Sequence, residues 1–262
     1  MHGQKKILII ITIIACFSGV IFIQENFALK NDFSENPEYD LYFVPSPEYL
    51  RMISAGFRET LADIYWIRTV VYFGRRETNY DDTPLVLARM RVVDKVETPE
   101  FFELRAINRV RFRYLYDMLN VITELDPLFL DPYTFGGLFL SLKMDRPELS
   151  IKLLEKGLRN IPENWQIPYQ LGFNYYFYLE DKEKAVEYFM AAGEYPGCPP
   201  LIISLAQGIL VQQGKTEIAI KFIEGVRDKA ESEKIREEME KILERLRQDN
   251  IDNSLKKGDK SL

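Results

Sequence analysis

The chain has 262 residues, of which 47% are hydrophobic, 13% aromatic and 28% charged, enough apolar material for an ordinary core and too much for wholesale disorder. Its formal net charge of -6 runs against partners held by phosphate neutralisation, so nucleic acid is not an expected partner. One histidine, His2, and two cysteines, Cys16 and Cys198, leave too few groups for a zinc centre, a Cys-His pair or a Ser-His-Asp triad. No catalytic residue, metal or cofactor is expected, and the chain is not expected to be an enzyme.

Lys5 and Lys6 precede an uncharged, mostly aliphatic run from Ile7 to Ile23. At about 1.5 Å per residue this run approaches the ~30 Å of a hydrocarbon core. Residues 1–24 are therefore expected to form an uncleaved transmembrane signal anchor, with the basic pair holding the N-terminus in the cytoplasm. Two alternatives stay open. One is a cleaved secretory signal, although no small-x-small site follows the run. The other is a lipoprotein box at Ile13-Ile14-Ala15-Cys16, which would lipidate Cys16. Residues 25–46 are polar, carry Pro37 and Pro45, and read as a stalk.

Ser46-Pro47-Glu48 supplies an N-cap, a first-turn proline and a first-turn acid. Apolar residues then recur at Leu50, Ile53, Phe57, Leu61, Ile64, Ile67 and Val71, which predicts one long helix over roughly 47–74. Residues 75–98 are charged and polar and read as an inserted loop. A second helix is expected from Thr98-Pro99-Glu100 through Ile107, Val110, Tyr114, Leu119 and Ile122 to Asp126-Pro127.

Over 128–228 the sequence repeats itself with a period of about 35 residues. Gly137, Gly172 and Ala206 form one column, followed by Ser150, Ala185 and Ala219, then Leu154, Phe189 and Ile223, then Gly157, Ala192 and Val226. Small residues are needed where two helices approach closely, and neither helix of a pair buries its apolar stripe without the next pair. The pattern predicts an all-α solenoid of three helical hairpins. Residues 229–248 read as a capping helix with Ile235, Met239, Ile242 and Leu246 on one face. Residues 249–262, poor in apolar side chains, are expected to be disordered.

These columns resemble the tetratricopeptide repeat, most fully at Leu171, Gly172, Tyr175, Ala185, Phe189, Ala192 and Pro196. Gly137, Ser150, Leu154 and Pro162 match in the first repeat, and Leu205, Ala206, Ala219 and Ile223 in the third. Two departures are a turn longer by one residue and Pro168 where the family often has Trp. The resemblance implies a right-handed superhelix, with 47–127 as a degenerate repeat split by the insertion at 75–98. It also implies a concave groove lined by Leu138, Ser141, Leu142, Tyr169, Phe173, Tyr176, Phe177, Gln207, Leu210 and Val211. Such a groove takes a peptide or amphipathic helix of another protein, unless the helix at 47–74 or at 99–125 fills it.

A second cluster, Arg58, Asp63, Trp66 and Arg68, lies within one predicted helix. It reads as a structural ion pair or, alternatively, as part of a pocket for a small ligand or a reaction. The pattern Ala62-Asp63-x-x-Trp66 is similar to one in membrane-anchored repeat proteins of Gram-negative bacteria. The expectation is thus a single-pass inner-membrane protein with a periplasmic repeat domain, acting as a scaffold or assembly factor in the cell envelope. A lipidated form would have the same role.

Overall fold

The computed structural model describes residues 18, 44–77 and 106–258. The expected anchor apart from Ser18, the lipidation site at Cys16, the stalk as far as Phe43, and residues 78–105 of the insertion and second helix lie outside the described residues. The chain divides into two compact units between Phe43 and Val44, and every element below belongs to the second. Among the described residues all regular structure is helical, so the fold is all-α. No helix of the described residues is long and apolar enough to cross a membrane.

The long helix expected over 47–74 is two helices, α1 (Pro47–Ile53) and α2 (Arg58–Glu77). Ser46 caps α1 as its sequence indicates, its hydroxyl accepting from the Tyr49 N–H at 3.3 Å. The helix then stops because Ser54 turns back on it. Its N–H donates to the Leu50 carbonyl and its hydroxyl to the Arg51 carbonyl at 2.8 Å. Ala55 and Gly56 follow at φ 48° and 96°, a left-handed bend that only glycine adopts without strain.

The buried face of α2 also differs from the expected one. Ala62, Tyr65, Thr69, Tyr72 and Phe73 are buried, whereas Ile53, Phe57, Ile64, Ile67 and Val71 are exposed. Both faces are apolar, and the one that carries the large rings wins the interior because each ring removes about 150–250 Å² from water.

A similar break interrupts the second predicted helix. Residues 106–111 are helical and the next helix, α3, spans Leu115–Leu125. Between them the Tyr72 hydroxyl donates to the Arg111 carbonyl at 3.1 Å and accepts from the Tyr114 N–H at 3.4 Å. The Leu115 N–H is left to bond Phe112 at 2.8 Å. A side-chain oxygen inserted into the backbone ladder is a sufficient cause of such a kink.

Three hairpins follow: α4 (Leu130–Leu142) with α5 (Pro147–Asn160), α6 (Gln166–Phe177) with α7 (Lys182–Gly193), and α8 (Pro200–Gln212) with α9 (Thr216–Lys229). Each helix packs on the next, and α4 also meets α6. The first two hairpins are antiparallel: Gly137 lies opposite Ser150 and Tyr133 opposite Gly157, while Gly172 lies opposite Ala185 and Tyr169 opposite Phe189, their ring centroids 6.1 Å apart.

The stops of the leading helices recur in the same register, at Asp145 (φ 52°), Glu180 (φ 56°) and Gly214 (φ 73°). In the first two the N–H of the residue after the left-handed one reaches back six positions, Arg146 to Leu140 and Asp181 to Tyr175, each at 2.9 Å.

One core cluster runs from Ile151 to Leu246 and includes Phe189, Ala206 and Ile223. It also holds Cys198, in the α7–α8 turn, whose thiol donates to the Pro199 carbonyl at 3.8 Å and is pushed by burial up to about 11. A separate cluster joins Leu50, Ala62 and Tyr65 to Val121, Ile122 and Leu125.

The terminal helix α10 (Glu233–Gly258) packs on α9 and buries Met239, Leu243 and Leu246, with Ile235 and Ile242 half-buried beside them. It continues to Gly258, where disorder is expected from Asp249. No glycine or proline stands between Ala230 and Gly258 to stop a helix already nucleated on its packed face.

The small-residue columns mark true close approaches. A methyl group on Gly172 would sit 2.7 Å from Phe189 Cδ1 and 3.0 Å from the Ala185 carbonyl, whereas one on Gly208 of α8 would meet nothing within 4 Å. Gly172→Ala should therefore destabilise the fold by about 1–3 kcal/mol, because backbone cannot yield as a side chain does. Gly208→Ala should stabilise it by about 0.4–1 kcal/mol by restricting the unfolded chain. Chemical denaturation of both variants checks the opposite signs.

Candidate functional site

Helix α6 and its N-cap residue, Trp165, carry aromatic residues at a spacing of one turn. Trp165, Tyr169, Phe173 and Phe177 succeed one another with ring centroids 6.2, 6.4 and 4.4 Å apart, and Tyr176 meets Phe177 edge-on at 4.8 Å. Residues four apart share one helix face, so the rings form a ladder. Its inner side leans on Phe189 of α7, 6.1 Å from Tyr169, and on Tyr178, 6.3 Å from Phe173. Burial alone pushes the Tyr178 phenol up to about 12. Tyr169, Phe173 and Tyr176 are half-buried and Phe177 is 39% exposed. The ladder is thus held from behind and open in front.

The other expected groove positions divide. Leu138 is 41% exposed, Val211 is exposed, and Leu142 and Gln207 are half-buried. Ser141 and Leu210 are buried, and neither faces outward. Ser141 instead joins a buried polar knot in which its hydroxyl donates to Asn174 Oδ1. Asn174 Nδ2 donates to Ser150 Oγ at 3.0 Å and to the Gln170 carbonyl at 2.9 Å, and Ser150 Oγ donates to the Gly137 carbonyl at 2.7 Å.

Helix α2 covers part of α4. Trp66 meets Phe129 and Phe135 at 5.8 and 5.4 Å, and Phe73 meets Phe135 and Phe139 at 5.1 and 4.6 Å.

The second expected cluster does not converge. Arg58 and Asp63 are exposed, Trp66 turns inward to the rings just described, and Arg68 lies over the Tyr65 ring at 5.7 Å. The ion pairs that tie this region together are others. Glu124 of α3 takes Arg51 of α1 on one oxygen and Lys156 of α5 on the other, the latter at 2.6 Å. Lys156 also donates to Thr123 Oγ1 at 2.8 Å and Asn120 Oδ1 at 3.1 Å.

Arg109 closes the end of α4 through the Met144 and Asp145 carbonyls and the Asp145 carboxylate, all at 3.1–3.2 Å. Neither arrangement carries a local sequence signal, because the partners are far apart in the chain. Among the described residues no group of His, Cys, Asp and Glu gathers in a way that could hold a metal ion.

Burial opposes the Glu124 charge, but the hydrogen bonds and charges of Lys156 and Arg51 outweigh it and hold the carboxyl below its ordinary value. A carboxylate lowered in the folded state contributes stability above its unfolded pKa and loses it as pH falls through the folded one. Glu124→Gln should cost ~1 kcal/mol at neutral pH. That difference from the wild type should shrink steadily as the solution is acidified below about pH 4, as urea melts at a series of pH values would show. No protein-family model matches this chain, and no curated protein matches it.

Proposed function

We propose that the chain is a tetratricopeptide-like scaffold, anchored by residues 1–24 in the bacterial inner membrane, whose periplasmic helical hairpins hold another protein in an envelope assembly. The observation that carries this reading is the aromatic ladder of α6, rigid on its inner side and uncovered at Phe177. Aromatic rings fixed in place lose little freedom on binding and are the side chains that most often dominate an interface. Leu138 and Val211 add exposed apolar side chains on the other leading helices, α4 and α8, and exposed apolar side chains of this kind suit the apolar face of an amphipathic helix. The absence of convergence among Arg58, Asp63, Trp66 and Arg68 favours this reading over a ligand pocket or a reaction centre.

A photoreactive residue at Phe177 of the full chain, irradiated in native membranes, should give a discrete adduct with one protein, and the same residue at exposed Glu187 should not. Tyr176→Ala should weaken that association by ~2 kcal/mol, roughly thirtyfold, with helix content retained. Equal labelling at both positions would remove the proposal.

A further inference from the structure

The outward face of α2 has a spacing of its own. Phe57, Thr60, Ile64, Ile67, Val71 and Gly74 follow one another at alternating steps of three and four residues. All but Gly74 are exposed, Ile67 to 63%, and a Cβ on half-buried Gly74 would meet nothing within 4 Å. A 3-4 repeat is the pattern that keeps an apolar seam facing a second helix, with Phe57, Ile64 and Val71 at a and Thr60, Ile67 and Gly74 at d.

The rim of the seam identifies the second helix. Asp63 precedes an a residue and is therefore at g, and Arg68 follows a d residue and is at e. In a parallel pair a g residue faces the e residue five positions later on the other helix. Asp63 then meets Arg68 of the partner subunit, twice by symmetry. In an antiparallel pair g faces g and e faces e, which would set carboxylate against carboxylate and guanidinium against guanidinium.

The geometry points to a parallel, two-fold symmetric association of two copies of this chain through the α2 seam. It is independent of the α6 ladder, which is a different surface and takes a different partner. Arg68 keeps its place beside Tyr65 in this arrangement, because a guanidinium presents five donors and its hydrogen bond to the Tyr65 side chain does not use them all.

The test uses the full chain in detergent micelles. In a Cys16→Ser background, Thr60→Cys should give a disulfide-linked dimer on mild oxidation, because each d residue of a parallel pair meets its own counterpart. By sedimentation equilibrium, Asp63→Arg or Arg68→Asp should weaken the dimer by about tenfold or more, and the double swap should restore it to within about threefold. Ile64→Glu with Ile67→Glu should leave monomer of unchanged helix content. A wild-type chain that stays monomeric, or a dimer indifferent to the charge swaps, would overturn the inference.

Discussion

The docking of the first hairpin on the second depends on one buried polar contact set among the close-packed helices α4, α5 and α6. Asn174 reaches from α6 to Ser141 of α4 and Ser150 of α5, and Ser150 in turn holds the carbonyl of Gly137. Apolar surfaces slide past one another with small changes in energy, whereas these groups are paired in one register only, and leaving any of them alone in a dry interior costs about 1–3 kcal/mol. The glycines let the backbones come near enough for the bonds to form, and the bonds then forbid any other alignment. Packing supplies the stability and the polar knot supplies the uniqueness.

The repeats were legible because their physical requirement is local and periodic. A crossing point needs a small residue, and Gly137 and Gly172 stand where the two helices of their hairpins cross. The same logic misplaces α2. Its sequence has an aliphatic stripe and an aromatic face side by side, and periodicity does not say which one a neighbouring helix will claim.

The kink at 112–114 was invisible for a different reason: its cause, the Tyr72 hydroxyl, comes from a residue remote in the chain. Ser141 and Leu210 show the limit at the site. Repeat position places them on a leading helix, but which side of that helix faces out depends on the neighbour that covers it, and both turned out to be interior.

The two apolar surfaces differ in kind. The α6 ladder is continuous with the main core through Phe189, so its exposed edge is the rim of a rigid object. The α2 seam lies opposite the buried face of its own helix and touches no core from outside. Rings braced by an interior suit selective recognition, because their geometry is set before a partner arrives. A bare aliphatic stripe on a single helix has less shape to select with, and its discrimination falls to the charges at its edges.

Cys198 has a consequence for chemistry in the cell. Its sulfur is enclosed in the α7–α8 turn, and a thiol held near 11 remains protonated at neutral pH. Oxidants and disulfide exchangers attack the anion, which is scarce here and sterically shielded. The folded hairpins therefore need no reductant to keep this position intact, and oxidative damage there would report prior unfolding.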